Sequence, residues 1–339
     1  MRILLNHSIS GAADLIDLMR RARPDLTVIA THERTDTPIR LSADRLLPEP
    51  PETRAMSDEA YADWLLGVAL SERADLALPY RRRDALAGFR DRFADQGVRL
   101  LTASDEATMR LLEDKPTLLS RMKALGAPII PFRLFLGLSG YEGLRSEGDI
   151  FPDHDGDLCV KPSSGIYGAG FRILRDRLPD GSPLSALSTL ELPEPVFRGL
   201  LSALPAPEPM MLMPYYPGPE RSVDFACLDG RLLGTVSRAK AGTSQRLHHD
   251  PEGERLAGLV AETFGLSGVL NLQTIEDGSG VQRLMEVNSR ASGGVGMTGL
   301  TEVNLPGLLL GALDGEIPAG PVRVGRPVRV GKREIFWEA

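Results

Sequence analysis

Asn271–Gly294, NLQTIEDGSGVQRLMEVNSRASGG, spells two short strands and the turn between them. The two strands are expected over Val269–Ile275 and Val281–Val287. The acidic, glycine-bearing run Glu276-Asp277-Gly278-Ser279-Gly280 predicts a hairpin of the longer-loop kind. Gln273, Glu286 and Asn288 supply side-chain oxygens. Glu286 and Asn288 share one strand face at period two, and across an antiparallel pair Gln273 can lie near them. Such a set suits Mg2+, a hard cation that takes few protein oxygens and completes its shell with water and phosphates. Arg290 would stand beside the metal as a second cation. On these residues alone a polar strand end facing solvent is the commoner arrangement, so the rest of the chain has to decide.

Outward from the hairpin, the chain is that of a globular protein. It has 339 residues, 42% hydrophobic and 25% charged, enough for about two or three domains with cores. A net charge of -7 argues against an obligate nucleic-acid or anionic-membrane partner, because such partners need a basic face. The two cysteines, Cys159 and Cys227, lie in apolar strand-like runs without zinc spacing, as buried thiols in a reducing compartment do. MRILLN carries no signal-peptide pattern, and no run approaches the roughly eighteen apolar residues of a membrane span. The expectation is a cytoplasmic protein.

The first third alternates strand and helix. Strands are expected at Ile3–Leu5, Leu26–Ala30, Leu76–Pro79 and Val98–Leu101, and helices at Ala12–Arg23, Tyr61–Arg73 and Arg83–Gln96. This alternation predicts a parallel sheet covered on both faces, with ligands at the carboxyl ends of its strands. The first strand-to-helix turn, NHSISG, lacks the G-x-G-x-x-G of a dinucleotide site. Arg81-Arg82-Arg83 admits two readings, a grip on a substrate carboxylate or a solvated helix start.

Beyond Glu113 three further stretches stand out. Lys115 precedes Pro116 and a predicted helix, Thr117–Leu125, closed by Gly126. In LCVKPSSGIYGAGFRIL (158–174) a strand delivers Lys161, then a loop with Ser163, Ser164, Gly165, Gly168 and Gly170, then a second strand from Phe171. Glycines so spaced let backbone N–H groups face an anion; an ordinary glycine-rich hairpin fits equally. It is not a Walker A loop, since no Gly-Lys-Ser/Thr follows. Helix is expected at Pro195–Leu204. MMLMPYYPGPERSVDFACL (210–228) reads strand, Pro-Gly turn, strand: Met213-Pro214-Tyr215-Tyr216 could form an apolar slot for a purine or plain core, and Glu220 could accept from ribose hydroxyls. Further strands over Arg231–Gln245, a helix at Glu254–Phe264, a helix at Leu305–Leu313 and two or three short C-terminal strands complete the pattern. His248-His249 is adjacent, not at metal-ligand spacing, and reads as a surface loop.

In this order, with NLQ and MEVNSRASGG at the end, the motifs over roughly Val98–Gly315 resemble the ATP-grasp superfamily, in particular its branch similar to the ATP-binding halves of the carbamoyl-phosphate synthase large subunit. The resemblance implies an α/β protein: an N-terminal parallel α/β domain (residues 1–112), then a two-subdomain grasp of α+β type, with a small subdomain carrying the lid loop (113–209) and a large one (210–339). It implies ATP and Mg2+ (or Mn2+) as cofactors. Lys115 and Lys161 match the lysines that contact nucleotide phosphates, and Ser163–Gly170 the loop that closes over them. Met213–Tyr216 match the hinge that reads adenine, with Glu220 at the ribose. Gln273, Glu286 and Asn288 match the metal ligands, and Arg290, with Lys161 and Asn288, the groups that act on the transferring phosphoryl. Met213 departs from the acidic or polar residue that many members carry there. The implied activity is ATP-dependent ligation of a carboxylate to an amine or thiol through an acyl phosphate. A phosphotransferase and a non-catalytic ATP sensor are the alternatives. The partners implied are small carboxylates and amines, and a homodimer is compatible with the sequence.

Overall fold

The structure, a computed structural model, describes residues 1–6, 11–165, 169–176 and 190–331. They fall into two compact units, one comprising Met1–Leu112, Glu220–Thr274 and Val287–Ala339, the other Glu113–Pro219 and Ile275–Glu286. The protein is α/β throughout.

The N-terminal sheet is fully parallel. Strands β1 (Arg2–Asn6), β2 (Thr27–His32), β3 (Arg45–Pro48), β4 (Leu76–Pro79) and β5 (Arg99–Leu100) stand in the order β3-β2-β1-β4-β5. β1 shows why both faces are covered. Ile3 and Leu5 enter the core cluster that holds Leu15, Ile16 and Met19 of helix α1 (Ala12–Ala22), whereas Leu4 enters the opposite cluster with Tyr61, Leu65 and Ala69 of α2 (Asp58–Ser71). An unbroken apolar strand is what a two-sided parallel sheet demands. α2 begins where the Ser57 side chain accepts from the Ala60 N–H at 3.2 Å.

The helix expected over Arg83–Gln96 is broken. α3 (Arg83–Leu86), a 3-10 turn and α4 (Arg90–Ala94) replace it, and the break comes at Gly88-Phe89, where Phe89 leaves helical backbone (φ -111°, ψ 13°). Glycine resists such a break least of all helix-interior residues save proline. β3 and α5 (Glu106–Glu113) have no counterpart in the sequence reading. β3 is a short edge strand with no buried residue, so burial left no alternation to read.

The guanidinium groups of the triplet at the end of β4 are half-buried and bonded within the protein. Arg81 Nη1 donates to Glu33 Oε1 at 2.6 Å and to the buried Glu49 Oε2 at 2.7 Å, and Arg82 Nη1 donates to the Met56 carbonyl at 2.7 Å. Arg83 Nε donates to Ser289 Oγ at 2.9 Å. These bonds tie the end of β4 to segments distant in the chain.

In the second unit, β6 (Arg133–Leu136), β7 (Leu158–Pro162), β8 (Arg172–Arg175), β9 (Glu191–Pro193) and β10 (Pro209–Pro214) form a sheet of order β6-β10-β7-β8-β9, antiparallel except for β8 with β9. Helices α6 (Lys115–Ala124), α7 (Gly137–Ser146) and α8 (Glu194–Ala203) accompany it. Its core is aromatic: Phe135, Tyr141 and Phe197 meet with centroids 5.2–6.4 Å apart, two of the three pairs edge-on. Val160 of β7 belongs to that core, so its neighbour Lys161 points to the other face.

The third sheet contains β11 (Glu220–Leu228), β12 (Arg231–Ala241), β13 (Ser244–His248), β14 (Gly268–Glu276), β15 (Gln282–Asn288) and β16 (Val328–Gly331), ordered β15-β14-β11-β12-β13-β16. The opening hairpin is therefore present as β14 and β15, shifted by a residue at most at any end. α9 (Pro251–Phe264) ends on Gly265 in the left-handed conformation (φ 58°), where glycine carries no Cβ penalty. A short α10 (Val295–Thr298) precedes α11 (Leu305–Leu313), which is capped by Asn304. β16 pairs with β13 at the sheet edge, as expected of the tail; residues 332–339 lie outside the described residues. No helix among the described residues is long and apolar enough to cross a membrane.

Candidate active site

Three charged groups gather within the second unit. α6 starts at Asp114, whose carboxylate accepts from the Thr117 N–H at 3.3 Å and the Thr117 hydroxyl at 2.9 Å. The cap leaves Lys115 in the first turn, buried, with Nζ donating to the Gly165 carbonyl at 2.7 Å. Lys161 Nζ stands 3.7 Å from Glu286 Oε2. Burial pushes the Lys115 ammonium below the usual lysine range, Glu286 pulls it back up, and Lys161 pushes it further down. Two ammonium groups thus stand near Glu286, with Glu113 and Asp114 also acting on Lys115.

Among its described residues, the glycine loop touches this cluster through the Gly165 carbonyl. Gly165 has φ +111°, and Gly170 (φ +77°) lies where a Cβ would collide with the Pro162 ring, 2.7 Å from its Cδ. The Ser163 N–H donates to the Pro209 carbonyl at 3.0 Å, so it is engaged with β10, whereas Ser164 is exposed. Gly168 lies outside the described residues.

The Met213–Tyr216 segment continues β10. Met213 is buried opposite Cys159, and Pro214 pairs with Leu158. Burial pushes the Cys159 thiol up to about 12, so it stays protonated and donates to the Pro214 carbonyl at 3.5 Å. The Tyr215 N–H donates to the Asp157 carbonyl at 2.8 Å. Tyr216 packs edge-on against His154, centroids 5.3 Å apart. An open cavity of about 1050 Å3 is lined by Tyr215, Tyr216, Asp157, Arg175, Asp277 and Arg283 among others. The following Pro217-Gly218-Pro219 turn is pinned: Glu276 N donates to the Pro219 carbonyl at 3.3 Å, and the Glu276 carbonyl occupies the place of any Cβ on Gly218.

The first unit holds the other sequence-selected residues. Glu220, at the start of β11, lies 3.3 Å from the exposed Lys240 Nζ. Asn271 and Gln273 share a face of β14, and Glu286 and Asn288 share a face of β15. Asn288 Nδ2 donates to Asn271 Oδ1 at 3.4 Å. Behind Asn271 lies a buried polar network that the sequence reading missed. Asn271 Nδ2 donates to Ser222 Oγ (2.9 Å) and Asp224 Oδ1 (3.0 Å). Arg238 donates to Asp224 Oδ2 (2.6 Å), Ser222 Oγ (2.7 Å), Gln245 Oε1 (2.9 Å) and Ser292 Oγ (2.9 Å). A signal was there: Asp224 interrupts the apolar run VDFACL, and a lone acid in a core strand needs a partner. Arg290 Nη1 donates to the Ala291 carbonyl at 3.1 Å. It lines, with Arg83, Tyr80 and Ser289, a cavity of about 50 Å3. Burial raises the Tyr80 hydroxyl, Arg290 and Arg83 opposing it.

The arrangement of these sheets along the chain has counterparts among known proteins. Residues 206–334 match the family model described as ATP-grasp in the biosynthetic pathway with Ter operon. No curated protein matches the chain. Among solved structures, the biotin carboxylase domain of Hydrogenobacter thermophilus 2-oxoglutarate carboxylase, a dimer with MgADP, ADP and bicarbonate, is similar at 16% identity and TM-score 0.66, over 97% of this chain and 73% of that one. The N5-carboxyaminoimidazole synthetase of Staphylococcus aureus is similar at 10% identity and TM-score 0.66, over 97% and 81%. The L-amino acid ligase of Bacillus licheniformis is similar at 15% identity and TM-score 0.63, over 97% and 78%. At these identities the likeness is one of fold.

Proposed function

We propose that the protein is an ADP-forming ligase that joins a small carboxylate to an amine, or to a thiol, at the expense of ATP. The observation that carries this is the pair of lysines, from α6 and β7, set about Glu286. A triphosphate tail needs cations for its oxygens and a metal ligand beside it, and phosphoryl transfer asks chiefly for alignment and charge neutralisation. In this reading Lys115 and Lys161 hold the phosphates, with Ser163, Ser164, Gly165, Gly168 and Gly170 as the lid. Met213–Tyr216 hold the base, Glu220 the ribose, and Arg290 steadies the transferring group. Residues 1–112 and the two parts of the grasp, 113–209 and 210–339, serve as acceptor, lid and nucleotide domains.

Gln273, Glu286 and Asn288 fit a divalent ion by donor chemistry. All offer hard oxygens, only one carries charge, and no group of three His, Cys, Asp or Glu among the described residues forms a rival metal cluster. Mg2+ or Mn2+ bound there would neutralise phosphate charge.

The chemistry balances as two displacements. A carboxylate oxygen attacks the γ-phosphorus and the bond to the β-phosphate oxygen breaks, giving an acyl phosphate and ADP. The amine then attacks the acyl carbon, phosphate leaves, and the amine loses a proton to water. The lid has a purpose here, since an acyl phosphate hydrolyses if exposed.

The test is release of ADP and phosphate from Mg-ATP with panels of amino acids, dicarboxylates, bicarbonate and amines. Release of both that requires an acid together with an amine is the expected result. ADP without phosphate, from a single acceptor, would make the protein a phosphotransferase, and nucleotide binding without turnover would make it a sensor.

A further inference from the structure

We infer that Asp224 and Asn271 are positioning residues for Asn288: a one-way relay of hydrogen bonds from a buried carboxylate fixes which end of the Asn288 amide is turned to the metal. The inference rests on the reading of Asn288 as a metal ligand. Arg238 Nε donates to Asp224 Oδ2 at 2.6 Å, and both residues are buried. Paired in this way, the carboxylate can only accept. Its other oxygen lies 3.0 Å from the Asn271 amide, so Asn271 must turn its NH2 towards Asp224, and the same nitrogen reaches Ser222 Oγ at 2.9 Å. The remaining Asn271 atom, Oδ1, can likewise only accept. It lies 3.4 Å from Asn288, which must present Nδ2 to it.

The consequence falls on the far branch of the Asn288 amide. With Nδ2 committed to Asn271, Oδ1 is directed away from Asn271 and is the atom offered to a cation. A flipped amide would offer an NH2, which cannot ligate. The two ends of an asparagine have nearly the same shape, so only such a network sets their order. Asp224 and Asn271 therefore act on the metal through Asn288, as groups that orient a ligand do.

The test reads metal binding rather than turnover. ADP affinity is measured by calorimetry in EDTA and with Mn2+, and Mn2+ in the protein–ADP complex by electron paramagnetic resonance. Asn271→Leu keeps the side-chain volume but breaks the relay. Its Mn2+ binding is expected to weaken about tenfold to a hundredfold, with ADP affinity in EDTA unchanged. In D224N/N271D the new amide at 224 donates to the new carboxylate at 271, which still accepts from Asn288. That double variant should return to within about threefold of the parent. The inference is overturned if Asn271→Leu binds Mn2+ like the parent, or if the double variant binds as weakly as Asn271→Leu. A parent whose ADP affinity ignores Mn2+ gives a different result: it removes the metal site itself, and the inference with it.

Discussion

Glu286→Gln is expected to lower ADP release by at least about a hundredfold while leaving the protein folded. Glu286 is the one formally charged group in the proposed metal set, and the Lys161 ammonium lies 3.7 Å from it. Glutamine keeps the length and one oxygen but not the charge. A hard divalent ion would then have only neutral amide donors, and the two lysines would repel each other without the carboxylate near them. The fold has less at stake than the site, because Glu286 and Lys161 stand 3.7 Å apart, outside hydrogen-bond contact, and neither side chain is fully buried. Thermal unfolding should therefore shift by a few degrees at most, whereas a coupled ADP assay should read close to background. Parental turnover in this variant would refute the assignment of Glu286.

Arg238→Met is expected to have the largest effect on stability, a loss of about 3–5 kcal/mol in urea unfolding. Arg238 is buried and donates to four side chains, and its partner Asp224 is wholly excluded from solvent. Methionine fills similar space but leaves a carboxylate in the interior facing only neutral donors. The companion variant separates charge from packing. With Asp224→Leu added, no ion is left uncompensated, and part of the loss should be recovered. A loss below about 1 kcal/mol for Arg238→Met would mean that the network is not what holds β11 to β12.

Much of this protein is legible in its residues, for reasons that differ from element to element. The hairpin of β14 and β15 could be read because two short apolar-bearing runs flank a turn that carries the glycines a longer loop needs. α11 could be read from Asn304-Leu305-Pro306 at its start and the apolar run that follows, and its limits agree with the expectation. β3 could not, because a short edge strand with no buried residue has no pattern to show. α4 and α3 were read as one helix because periodicity does not register a change of backbone at a single residue such as Phe89.

The candidate site divides in the same way. Lys115 and Lys161 could be picked out because each stands at a punctuated point, one after a capping aspartate and one at a strand end before a proline. What they touch could not be foreseen. Nothing in the sequence says that Lys115 bonds the Gly165 carbonyl, or that Arg81, Arg82 and Arg83 bond Glu33, Glu49, Met56 and Ser289. Pairings between groups tens or hundreds of residues apart are set by tertiary packing, which local patterns do not encode. Asn271 is the instructive case, since it looked like a strand residue beside Gln273 and proves to be the bridge between Asp224 and Asn288.

The most direct measurement is a crystal structure with a nonhydrolysable ATP analogue and Mn2+, read by anomalous scattering. An Mn2+ peak about 2–2.5 Å from a Glu286 carboxylate oxygen, with the phosphates against Lys115 and Lys161, is the result expected. Phosphates bound away from those lysines, or no metal at Glu286, would contradict it.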